Sequence, residues 1–228
     1  DKGVAYMKGM QSVNVLANAK HFPGHGDTDT DSHKALPIIN HTKERIDSIE
    51  LFPFKSLIAE GLASMMVAHL FIPAYDSSAL TATTLSKSVV THLLKDSLKF
   101  DGLVFTDALN MKGVSSFHSP GYVDVKALLA GNDVLLFSEN VPAAITEIKC
   151  AVEFGEIDST EIEKRCLKIL KAKAWAGLDK HQAISSKNLI ADLNKKEYEL
   201  LNQQLYESAL TVIQNKNNFL PIERLDTL

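Results

Sequence analysis

The densest chemistry in the chain lies in Lys20-His21-Phe22-Pro23-Gly24-His25-Gly26-Asp27-Thr28-Asp29-Thr30-Asp31-Ser32-His33. Three His and three Asp fall within the thirteen residues from His21 to His33. Pro23, Gly24 and Gly26 require a sharply turned backbone. A solvated loop explains the aspartates alone; it explains the histidines and glycines together less well. Such groups can move protons, orient an imidazole with a carboxylate, or hold a metal. Asp27, Asp29 and Asp31 fit the first three ligand positions of a calcium loop. Position six is Ser32 rather than Gly and position twelve is Ile38 rather than Glu, which excludes an EF-hand. His21, His25 and His33 leave a transition-metal site open, without the support of an H-E-x-x-H spacing. Other ionisable residues stand where apolar runs end: Lys20 and His21 at the first run, His69 at the second, Asp107 at the third.

Those runs are the elements that must position the chemistry. Residues 15–20, 65–68, 103–106 and 134–137 are short and β-prone, and the later ones are apolar on both faces, as in parallel strands buried on two sides. Helical patterns separate them, at 42–49, 54–61, 86–98 and 122–130, with 141–154 after the last. Gly131 is a good helix stop after Ala130. Strands alternating with helices give βαβ units and a parallel sheet, whose βα loops gather functional groups at the C-terminal strand ends. Three successive strands with ionisable ends fit that rule.

After Gly155 the pattern changes. Asp158 can cap a long helix with Glu161 closing a capping box, and its buried face would hold Ile162, Cys166, Leu167, Ile169 and Leu170. This helix would end at Gly177. Residues 178–195 read as a polar linker, 197–210 as a helix, and 211–220 as a strand and turn that begin something new. Four βα units fall short of a closed eight-stranded barrel, which needs about 250 residues. Half a barrel and a small open α/β sheet are both compatible with that arithmetic.

Composition sets outer bounds. The 228 residues are 45% hydrophobic and 23% charged, with a net charge of -4, which makes wholesale disorder a poor reading. Lys+Arg 24 against Asp+Glu 28 gives no broad basic face for nucleic acid. Cys150 and Cys166 are too few for a disulfide framework and lack C-x-x-C spacing. No apolar stretch reaches the ~18 residues of a membrane span. The chain opens on Asp1-Lys2-Gly3 without an initiator Met or a signal peptide.

Lys-His-Phe-Pro-Gly-His-Gly at 20–26, with Asp-Ser-His at 31–33, resembles the signature of family 3 glycoside hydrolases, in their β-N-acetylglucosaminidase branch. The run Phe100-Asp101-Gly102-Leu103-Val104-Phe105-Thr106-Asp107 resembles the segment that carries the family's nucleophile. Met65-Met66-Val67-Ala68-His69 and Ala130-Gly131-Asn132-Asp133 also fit, so the likeness covers about residues 1–180. It implies an α/β fold: the C-terminal half of a (β/α)8 TIM-type barrel over 1–177, a linker over 178–195, and the start of a second α/β domain over 196–228. It implies a retaining β-N-acetylhexosaminidase in which Asp107 is the nucleophile and Asp31 and His33 form the acid/base dyad. Lys20 and His21 match residues that bond sugar hydroxyls, Met111 matches a Met near the sugar, and His69 is a weaker match to a substrate-binding residue. Where the family often has a second acid after the nucleophile, this chain has Ala108. An Asp and an Arg that the family places on earlier strands have no counterpart in these residues, so this stretch by itself is expected to lack part of the pocket.

The chemistry of these types suits the reaction. A retaining glycosidase needs a nucleophile and a proton donor flanking the scissile bond. An imidazole with a pKa near ~6.5 is a poor acid at neutral pH unless a carboxylate such as Asp31 favours its charged form. Neutral after the first step, it would then act as a base towards water, or repel an anionic acceptor such as phosphate less than a carboxylate would. The expected partner is an N-acetylglucosamine-containing carbohydrate, such as a peptidoglycan fragment, with no cofactor and no metal. Two-domain relatives are generally exported, which gives an extracytoplasmic expectation. A carbohydrate-binding protein without turnover and a metal-dependent hydrolase are the competing readings.

Overall fold

A computed structural model describes residues 1–28, 35–78, 80–116, 118–180 and 183–222. Two compact units divide it, Asp1–Lys180 and His181–Leu228.

In the first unit, helix α1 (Lys2–Gln11) leads into strand β1 (Asn18–Phe22). Next come α2 (Lys43–Ser48), α3 (Phe52–Ala59) and β2 (Ser64–Val67). A π-helix (Ser88–Ser97), with Val89, Val90 and Leu94 buried, precedes β3 (Leu103–Thr106). The helices α4 (Lys112–Ser115), α5 (Tyr122–Ala130), α6 (Val141–Glu153) and α7 (Ser159–Trp175) follow. The sheet runs β1-β2-β3, parallel throughout, and Val134 bridges Phe105 in the same sense beyond β3. The α/β class and the parallel sheet are as expected from the alternating pattern.

Several boundaries differ from expectation for local reasons. Strand β1 starts later than the apolar run, because Val15 is left exposed and Phe22 is the buried anchor. Helix α3 begins before Pro53 rather than after it, since the first helical turn has no N–H bond for proline to break. The run at 134–137 forms one bridge rather than a strand. The Leu136 N–H turns to the Thr106 hydroxyl at 2.8 Å, and Phe137 has a left-handed φ of 50°. Asp158 caps α7 by accepting from Thr160 N at 2.9 Å, but Glu161 pairs with Lys164, so the capping box does not close. The apolar face expected on α7 is only partly covered, and none of its residues is fully buried. Leu167 and Leu170 are exposed; Ile162 packs half-buried against Val125, Leu128, Ala151 and Ile157, and the helix is further held by Arg165 on the Leu128 and Asn132 carbonyls and by Lys168 on Asp133.

The main core joins Met7, Phe22, Ile46, Leu51, Phe54, Met65, Val67 and Leu94, and so ties α1–α3 and the π-helix to the sheet. Gly131 ends α5 at φ 117°, and a Cβ there would meet the Thr91 hydroxyl at 2.7 Å. In the second unit, α8 (Leu189–Leu193) and α9 (Lys196–Ala209) bury no residue. No strand forms among the described residues after α9. The Asn215 side chain closes a loop onto both backbone groups of Leu220, at 2.7 and 2.9 Å. No helix among the described residues is long and apolar enough to cross a membrane.

Candidate active site

Parallel strands end on one side, and this sheet brings His21, His69 and Asp107 there. Lys20 and His21 lie within β1 rather than after it. Between Ala19 and Phe22 the β1 register slips against β2: Ala19 pairs with Met65 and Phe22 with Val67, so three steps on one strand face two on the other. A strict pleat would send consecutive side chains to opposite faces. The irregularity breaks that alternation, and Lys20 and His21 both border a space of about 600 Å³ bounded also by Gly24, Asp27, Arg45 and Glu50. The Lys20–His21 and Phe22–Pro23 peptides are both cis. His25 meets the His21 ring edge-on with centroids 6.0 Å apart.

Asp107 follows β3 directly. Its N–H donates to the Val67 carbonyl at 3.0 Å, which docks the residue against the end of β2. One carboxylate oxygen accepts the Ala108 N–H at 2.8 Å. The other lies 3.8 Å from His21 Nε2. The carboxylate is therefore oriented by backbone while one oxygen faces the His21 side, with the Asp107 side chain 15% exposed.

His69 has a different setting from the one expected of a substrate-binding residue. It is fully buried. Its Nε2 is 3.0 Å from the Ala108 carbonyl, which can only accept, so this nitrogen carries a proton. Its Nδ1 is 2.8 Å from the Thr84 hydroxyl. The Thr84 hydroxyl also donates to the Ala68 carbonyl at 2.5 Å, and that carbonyl accepts the Thr83 hydroxyl as well, at 2.6 Å. Burial lowers the His69 pKa below its usual value, against the raising effects of the Ala108 bond and the Asp107 charge. A neutral ring with Nε2 protonated turns its unprotonated Nδ1 to the Thr84 hydroxyl, which the Ala68 carbonyl shares. Both nitrogens are taken up by protein. Met111 is also buried, and its N–H donates to Ala108 O at 3.0 Å, closing the turn after Asp107.

The stem after β1 is held by side chains. Gly24 has a φ of 139°, and a Cβ there would lie 2.7 Å from Glu50 Cβ. Arg45 bonds both Glu50 oxygens, at 2.6 and 2.8 Å. Its other nitrogen lies 3.5 Å from Asp27, and His41 Nε2 lies 2.7 Å from the same Asp27 oxygen. Sequence reasoning missed this group because Arg45 and Glu50 straddle the break between two helices and carry no motif. It also missed Thr84. Asp31 and His33 lie outside the described residues. Among the described residues, no group of three or more His, Cys, Asp or Glu side chains is gathered for a metal.

Residues 2–172 match the glycosyl hydrolase family 3 N terminal domain. The chain belongs to that family. A beta-hexosaminidase A of Pseudoalteromonas piscicida is 33% identical over 204 residues, covering 85% of this chain and 32% of the relative. A beta-hexosaminidase of Nitrosospira multiformis is 39% identical over 138 residues, covering 60% and 39%. The solved family 3 beta-N-acetylglucosaminidase of Paenibacillus sp. str. FPU-7 superposes with a TM-score of 0.86 at 36% identity, over 95% of this chain and 41% of that one. The chain thus spans about a third to two fifths of these family 3 proteins. Its sheet and helices are part of the family's TIM-barrel-like α/β fold, in the branch that the 20–33 motif resembles.

Proposed function

We propose that this chain supplies the nucleophile and part of the sugar site of a retaining glycosidase that releases terminal β-linked N-acetylglucosamine. The observation that carries the reading is the setting of Asp107. Its carboxylate stands at the C-terminal end of a buried strand, fixed by the Ala108 N–H and facing His21. In the first step an Asp107 oxygen bonds to the anomeric carbon while His33, charged through Asp31, protonates the departing oxygen. In the second step His33, now neutral, removes a proton from water, which displaces Asp107 and regenerates both groups. Lys20 and His21 border the cavity from which sugar hydroxyls would be bonded. The acetamido preference rests on the named activities of the relatives.

The test is hydrolysis of an aryl β-N-acetylglucosaminide by the full-length gene product, with the product anomer followed by proton NMR. Retention in the wild type and loss of turnover in Asp107→Asn are expected. Inversion, or full activity in that variant, contradicts the reading. Added phosphate shows whether the neutral base also admits an anionic acceptor, by formation of the sugar 1-phosphate. Peptidoglycan fragments as the natural source, and a site outside the cytoplasm, belong to the same proposal. Release of N-acetylglucosamine from such fragments, and fractionation of the producing cells, test them.

A further inference from the structure

The buried histidine after β2 holds no apparent place in the two steps above, yet it touches the same short segment as the nucleophile. His69 Nε2–H donates to the Ala108 carbonyl at 3.0 Å. The N–H of Ala108 donates to an Asp107 oxygen at 2.8 Å. One residue is thus gripped by its carbonyl and uses its amide to aim the carboxylate. The Met111 N–H closes on that carbonyl as well, at 3.0 Å. The imidazole itself is fixed from behind by the Thr84 hydroxyl at 2.8 Å, and is fully buried. A ring so enclosed has no surface to offer a sugar.

We infer that His69 is a positioning residue for the nucleophile: it orients Asp107 through the Ala108 peptide and makes no contact with substrate. This rests on the glycosidase reading for its kinetic consequence, but its geometric content stands apart from it. A second consequence concerns charge. A neutral ring positions Asp107 without placing a full positive charge beside it. An imidazolium there would stabilise the carboxylate before reaction more than after the glycosyl ester has formed, and so would slow the first step.

The experiment compares wild type, His69→Leu and His69→Gln in the full-length gene product, with kcat and KM measured on an aryl β-N-acetylglucosaminide and folding checked by thermal denaturation. Gln keeps an N–H donor at about the reach of Nε2, whereas Leu keeps only bulk. Misplacement of a reacting group by about 1 Å costs on the order of 10²-fold. His69→Leu is expected to lose about that factor in kcat with KM changed less than about threefold, and Gln to recover most of it. A folded His69→Leu with wild-type kcat overturns the inference. So does a rise in KM alone, which would mean direct sugar contact, or a Gln variant no better than Leu. If the Leu variant does not fold, Thr84→Val decides instead. It removes only the hydroxyl behind the ring, and should lower kcat several-fold at unchanged KM; an unchanged kcat overturns the inference. If the wild type shows no turnover, the glycosidase reading fails by itself. The positioning role is then read by amide hydrogen exchange at Ala108, which should quicken in His69→Gln and more so in His69→Leu. Unaltered exchange there overturns it.

Discussion

Two aspartates near strand ends show how differently this protein holds its acids. Asp107 is docked by its own N–H on β2, its carboxylate takes a backbone N–H, and the residue beside it is gripped by a buried histidine. The Asp27 side chain is 57% exposed and, among the described residues, is held by two side chains, His41 at 2.7 Å and Arg45 at 3.5 Å. The first is aimed by groups that cannot move without disturbing the sheet. The second belongs to a surface network that salt and solvent can loosen. The difference fits a division of labour. Asp107, the group proposed to bond the anomeric carbon, sits on the rigid flank. The stem that leads in sequence to Asp31 and His33 sits on the adjustable one.

Breaking the rigid flank should cost most. Asp107→Asn removes the proposed nucleophile, and a loss in kcat of on the order of 10⁴-fold or more is expected in a steady-state assay, with thermal stability little changed. Activity within tenfold of wild type would remove Asp107 from the reaction. His33→Asn should cost about 10²–10⁴-fold on a substrate with a poor leaving group. The loss should shrink on a dinitrophenyl glycoside, whose leaving group needs no proton. An equal loss on both substrates would show that His33 is not the acid.

Arg45→Met sharpens the comparison. It breaks the link between Asp27 and the nearly buried Glu50, and should lower kcat by roughly tenfold, less than the loss expected for His69→Leu. Activity of the wild type should also fall at high ionic strength more than that of the Arg45 variant, because the variant has already lost the screened pair. A larger loss for Arg45→Met than for His69→Leu would reverse the assignment of rigid and adjustable flanks.

The smallest effect concerns acid stability. The His69 pKa is lowered in the folded state from its ordinary 6.5, chiefly by burial. Below pH 6.5 the unfolded chain takes up a proton that the folded ring refuses, so this part of the stability is fully present above pH 6.5 and is lost as pH falls from there towards the folded value. The advantage of wild type over His69→Gln in melting temperature should therefore narrow between pH 7.5 and pH 5. An advantage that grows on acidification would mean that the ring is charged in the folded protein.

Much of this was legible in the sequence because it depends on strand ends. Short apolar runs closed by His69 and Asp107 announced a parallel sheet and the side on which its strands end before any geometry. The motif at 20–33 carried the family. What was hidden depends on backbone detail. Nothing in Lys20-His21 announces the register slip between Ala19 and Phe22. A histidine at a strand end carries no sign of how its ring is enclosed; for His69, Thr84, fifteen residues on, meets Nδ1 at 2.8 Å. The face of α7 misled because periodicity shows which side is apolar, not whether a neighbour covers it. The strand expected over 211–220 failed for a related reason: an apolar run needs a partner ladder, and Asn215 closes the local chain on itself.

The central claim is that Asp107 forms a covalent bond to the sugar, and trapping tests it most directly. The full-length gene product is mixed with a fluorinated aryl N-acetylglucosaminide whose glycosyl ester hydrolyses slowly, then digested and read by mass spectrometry. The account predicts one sugar on the peptide that contains Asp107, and none in Asp107→Asn. A sugar attached to another residue contradicts it, as does steady turnover of an unmodified substrate by an enzyme that never acquires the label.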